Sequence, residues 1–70
     1  MGLEEIGKLI KTRRKQLAIT QPDLAEIAGL STNTVYQIER GLANPSFRVL
    51  FQLLEVLGLE MRVHVKNNGV

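Results

Sequence analysis

Apolar residues recur at Leu3, Ile6, Ile10 and Leu17, with Leu9 flanking and basic residues filling the other face. That is a helical period, and it predicts an amphipathic helix over residues 3–17. Thr20-Gln21-Pro22-Asp23 opens a second helix. Thr20 can cap it, Pro22 is tolerated in a first turn, and Asp23 stands at the capping-box position, where an acid suits the positive end of the helix dipole. Leu24, Ala25, Ile27 and Ala28 carry this helix to Gly29. Ser31 caps a third helix, which turns Val35 and Ile38 inward and closes at Arg40-Gly41 with a terminal cation and a glycine suited to a left-handed conformation. After a loop at residues 42–45, Ser46 caps a fourth helix carrying Phe47, Leu50, Phe51, Leu53, Leu54 and Leu57 and ended by Gly58. Its nearly continuous apolarity predicts burial on more than one face.

In the tail the period changes. Met61, Val63 and Val65 alternate with Arg62, His64 and Lys66, which is a strand pattern. A lone strand leaves its backbone groups without partners. The economical expectation is the same strand from a second copy, paired antiparallel across a two-fold axis; a frayed terminus with accidental alternation is the other reading. Residues 67–70 read as disordered. The expected fold class is therefore all-α: four main helices over residues 1–59, then a short C-terminal β-strand at 60–66 that pairs across a homodimer.

Composition sharpens this picture in three ways. A 70-residue chain makes one small domain, and such a chain buries only ~60% of its unfolded surface. With no cysteine, neither disulfides nor a cysteine-held metal can reinforce it, and the lone His64 supplies at most one ligand. Oligomerisation is the remaining reinforcement. Apolar residues at 44% and a mean hydropathy of +0.01 are generous for so much surface, so some apolar area is expected to face a partner. The net charge of +2 is weak evidence by itself, but its placement informs: no acid stands between Glu5 and Asp23, while Lys8, Lys11, Arg13, Arg14 and Lys15 crowd the first helix. No apolar run approaches the ~20 residues of a membrane span. Glu4 and Glu5 stand where a secretory signal is basic, so no membrane association and a cytoplasmic location are expected.

The stretch from Gln21 to Ile38 is the most informative. Two helices meeting at a steep angle need a small residue at their approach, a residue free to take positive φ in the turn, and apolar residues in the corner. Ala25, Gly29, Leu24, Val35 and Ile38 meet these needs at consistent spacing. Joined by Arg14, Thr20-Gln21, Leu30-Ser31, Thr34, Glu39-Arg40-Gly41 and Asn44-Pro45-Ser46, they make the chain resemble the phage-repressor helix-turn-helix family, the Cro/XRE type, with a compact lambda-repressor-like domain over residues 3–59.

The resemblance makes the third helix the recognition helix. Thr32, Asn33, Tyr36, Gln37 and Arg40 share its outer face. Asn and Gln can bond adenine edges, Thr offers a hydroxyl and a methyl, and Arg serves guanine or phosphate. Thr32, Asn33 and Gln37, with Tyr36 beside them, are the expected base contacts; composition alone also fits an ordinary solvated face. Gln21, Ser31, Arg40, Asn44, Ser46 and Arg48 are the expected contacts to the DNA backbone. Family members commonly pair the residues corresponding to Arg14 and Glu39, so this pair is expected to be structural, while Lys8, Lys11, Arg13 and Lys15 form a solvated face.

Relatives usually carry glycine where this chain has Ala18, and a left-handed alanine there costs ~1 kcal/mol. The strand tail is similar to that of HipB-type antitoxins, which bind an operator and a HipA-like kinase toxin. The expected function is thus a homodimeric repressor on double-stranded DNA, with Phe51, Leu54, Met61, Val63 and Val65 at the dimer interface and no cofactor or metal. An autoregulating antitoxin with a HipA-like partner is a sharper version. A protein-interaction module that never touches DNA is the rival from another class. No nucleophile–base pairing, phosphate loop or metal cluster points to an enzyme.

Overall fold

A computed structural model describes residues 2–67. Four helices follow in order: α1 (Leu3–Gln16), α2 (Gln21–Ala28), α3 (Thr32–Glu39) and α4 (Phe47–Leu57). α2 and α3 pack on each other, α1 lies against α3 and α4, and α4 closes over α2. Ile10, Leu24, Val35, Leu53 and Leu57 are sealed at the centre, with Ala25, Ala28, Ile38, Leu50 and Leu54 around them.

α2, α3 and α4 each start where a local side chain accepts from an amide of the first turn. Thr20 Oγ1 accepts from the Asp23 N–H at 3.2 Å, and Asp23 Oδ2 accepts from the Thr20 N–H at 3.0 Å. Hydrogen bonding to the carboxyl by Thr20, through its backbone N–H first and its hydroxyl second, holds Asp23 below its ordinary range. Ser31 accepts from the Thr34 N–H at 3.1 Å and Ser46 from the Val49 N–H at 3.2 Å. Helix ends are equally uniform. Ile19, Leu30, Leu42 and Leu59 donate back to the carbonyls of Arg14, Ala25, Gln37 and Leu54. Closing this six-residue ring requires a left-handed residue just before each donor. Gly29, Gly41 and Gly58 supply three of them, and Ala18, at φ 57°, supplies the fourth.

Three expectations need correction. Leu3 and Leu17 stay on the surface of α1 beside Leu9. One turn beyond Ile10 the inward line is taken by Arg14, whose charge is neutralised inside the fold. α4 buries one face only in the single chain: Phe47 and Phe51 remain 68% and 49% exposed, stacked on each other with centroids 6.1 Å apart. Residues 60–67 form no strand; Val63 and Val65 are 95% and 92% exposed. Every other described segment is helix, turn or irregular loop, so one chain offers this segment no strand edge to pair with. The expected disordered tail falls mostly on residues 68–70, outside the described residues.

One glycine acts by size. Gly7, mid-way along α1, lies against the end of α3, where an added Cβ would overlap the Ile38 carbonyl oxygen and stand 2.7 Å from that of Glu39. Helix propensity favours alanine over glycine by ~1 kcal/mol. The collision is with backbone, and overpacking of that kind costs ~1–3 kcal/mol. Gly7→Ala is therefore expected to lower the urea midpoint. Ala18→Gly is expected to raise it, with a gain in stability of up to ~1 kcal/mol, because relief of the left-handed strain outweighs the extra freedom of the unfolded chain.

Candidate nucleic-acid interface

The orientation of α3 follows from what it buries. Val35, Ile38 and Glu39 are taken into the interior, while Thr32, Asn33, Tyr36 and Arg40 are exposed and Gln37 is half-buried. The turn before it is set by Gly29 at φ 73°, and Ala25 lets α2 and α3 approach closely. The expected polar face is therefore present, with its residues side by side and outside the core.

Glu39 fixes the far end of that helix. Arg14 of α1 grips it with two bonds, Nε to Oε2 at 2.6 Å and Nη2 to Oε1 at 3.0 Å. Arg14 Nη1 donates to the Ile19 carbonyl at 2.9 Å, and Gln21 Nε2 donates to Glu39 Oε1 at 3.0 Å. Hydrogen bonding to Glu39 raises the Arg14 pKa against the opposing effect of burial, helped by the charge of the carboxylate. The pair is structural: each guanidinium nitrogen of Arg14 is engaged inside the fold. Among the described residues, no buried side-chain nitrogen or oxygen lacks a partner.

Gln21, singled out as a contact to the DNA backbone, spends one amide hydrogen on Glu39, which ties the start of α2 to the end of α3. Only its position at the head of a helix was visible beforehand, because its partner lies 18 residues away. The sequence places Arg13 on a solvated face, whereas in the structure its Nε donates to the Leu57 carbonyl at 2.8 Å and so caps α4. A basic residue on a basic face carries no signal of such a bond.

The remaining candidates divide between those already engaged and those facing solvent. The Ser31 hydroxyl is taken up by the Thr34 N–H and by Thr34 Oγ1 at 2.8 Å, and the Ser46 hydroxyl by its cap. Asn44 and Arg48 are exposed around the loop between α3 and α4. Arg40 Nη1 donates to the Tyr36 hydroxyl at 2.9 Å, and its guanidinium carbon stands 5.6 Å from the phenol centroid. The chemistry on offer is a row of neutral donors and acceptors flanked by cations.

Glu39→Ala is expected to destabilise the fold by ~3–5 kcal/mol, since it strands a buried guanidinium. The double replacement Arg14→Met/Glu39→Leu is expected to recover most of that loss. Urea midpoints of the three proteins check both.

The chain is similar to proteins that bear on this geometry. Residues 10–63 match the Helix-turn-helix family HTH_3. An uncharacterized HTH-type transcriptional regulator of Methanothermobacter thermautotrophicus is 36% identical over 52 residues, covering 74% of this chain and 75% of that protein. The immunity repressor protein of Bacillus phage phi105 is 39% identical over 56 residues, 80% of this chain and 39% of the repressor. The crystal structure of the restriction-modification controller protein C.AhdI from Aeromonas hydrophila superposes with a TM-score of 0.79 at 29% identity, covering 83% of this chain and 88% of that one. The chain spans only 17% of the length of the longer methanogen regulators it also matches. With the buried pair, the left-handed turn at Gly29 and the outward face of α3 all in place, the chain belongs to the helix-turn-helix family of the Cro/XRE type.

Proposed function

We propose that this protein is a sequence-specific DNA-binding transcriptional regulator, a repressor that occupies a palindromic operator as a homodimer. One observation carries the reading: α3 is anchored by Val35, Ile38 and Glu39, so its polar side faces outward. Thr32, Asn33 and Gln37 read base edges in the major groove, where carboxamides suit adenine and the threonine methyl suits thymine. Gln21, Arg40, Asn44 and Arg48 contact the sugar–phosphate backbone and set the register. Ser31 and Ser46, whose hydroxyls cap helices, contribute through the helix starts they organise. The names of the phage immunity repressor and the restriction-modification controller support the same reading.

Dimerisation supplies the second half-site. Phe47, Phe51, Leu54, Met61 and Val63 line one open apolar groove, a surface that a second copy can cover. A two-fold axis through α4 and the tail sets two recognition helices about 34 Å apart, on successive major grooves. In that assembly residues 60–66 gain the antiparallel partner they lack in a single chain.

A duplex selected from a random-sequence pool provides the probe. Gln37→Ala is expected to cost ~1–3 kcal/mol on the selected site and to leave binding to mixed-sequence DNA unchanged. An equal loss on both duplexes removes Gln37 from the base readers, and a wild-type chain that enriches no sequence removes the proposal. In sedimentation, Phe51→Glu or deletion of residues 60–70 is expected to shift dimer to monomer; an undisturbed dimer places the axis elsewhere.

A further inference from the structure

We propose that Tyr36 and Arg40 act as one phosphate-binding clamp at the C-terminal end of α3, with the phenol serving as a donor to the DNA backbone and not as a base reader. The inference rests on the DNA-binding reading and assigns one part of that surface a specific ligand chemistry.

The two residues stand one helical turn apart, both exposed, and already form a unit. Arg40 Nη1 donates to the Tyr36 hydroxyl at 2.9 Å, with the guanidinium drawn toward the ring. A phenolic oxygen that accepts a hydrogen bond presents its own O–H outward as a donor. The guanidinium keeps its other N–H groups, and among the described residues no carboxylate pairs with it. Tyr36 O–H and Arg40 therefore offer several donors and one fixed charge to a single anion, an arrangement suited to two oxygens of one phosphate.

Position selects phosphate over a guanine edge. Recognition helices reach bases with their N-terminal residues, whereas Arg40 is the C-cap of α3. Its neighbour Glu39 holds Gln21, the first residue of α2. That bond turns Glu39 into the interior and leaves Arg40, the next residue, exposed on the surface. Holding Arg40 against the ring also removes rotamer freedom before binding, so less is lost when the contact forms.

A double-mutant cycle tests the clamp on a fluorescein-labelled mixed-sequence duplex and on a selected duplex, by anisotropy over a range of salt. Arg40→Gln is expected to reduce the log–log salt slope by about 1 on both duplexes. Tyr36→Phe, which keeps the ring and loses the hydroxyl, is expected to weaken both complexes about tenfold. In the Arg40→Gln background the same change is expected to cost no more than about twofold, because the partners act together. Arg40→Lys keeps the charge without the fork and serves as a second background, with the slope retained and the coupling lost. Equal losses in all backgrounds, no loss from Tyr36→Phe, or a loss confined to the selected duplex overturns the clamp alone. A wild-type chain that binds neither duplex overturns the clamp together with the reading beneath it.

Discussion

A buried charge pair governs this small protein. Arg14 and Glu39 are almost wholly removed from water, and moving such ions inside costs several kcal/mol each unless every donor and acceptor finds a partner. Here they do: the two-pronged grip, the Ile19 carbonyl and the Gln21 amide complete the set. The consequence is geometric. Three elements far apart in the chain meet at one carboxylate, so α3 cannot roll about its axis without stranding a charge. Its outward face is therefore defined by an interior interaction.

The core alone could not impose that orientation. α2 and α3 are eight residues each, well below the length at which an isolated helix is stable in water. Their hydroxyl and carboxylate caps and their left-handed closures supply local definition, and Leu24, Val35 and Leu53 supply the packing. Apolar contacts are forgiving about rotation by a fraction of a turn. A bidentate guanidinium–carboxylate contact is not, because its hydrogen bonds weaken steeply with misalignment. The outward face of α3 is thereby held at one fixed orientation.

The same economy explains what stays outside. Phe47, Phe51, Val63 and Val65 are left exposed in the single chain. They cluster on α4 and the tail, elements that carry none of the α3 recognition face. The outward face of α3 and the exposed apolar residues are thus separated along the chain.

Residue order alone determined where the helices begin and end, because caps and closures are made by residues three to five positions apart: Thr20 with Asp23, Ser31 with Thr34, Ser46 with Val49, and a glycine after α2, α3 and α4. The outward face of α3 and the Arg14–Glu39 pair were legible too, the first from period, the second from resemblance. Tertiary structure decided the rest. That Gly7 marks a backbone crossing, that Arg13 caps α4 from 44 residues away, that Gln21 completes the buried network, and that Leu3 and Leu17 remain in solvent all depend on which surfaces meet after folding. No local pattern encodes such a meeting, since the same basic or apolar residue serves equally well at the surface until a distant carbonyl or helix is brought against it. The tail shows the converse: its alternation is written in the sequence, but a strand exists only where another backbone supplies the matching hydrogen bonds.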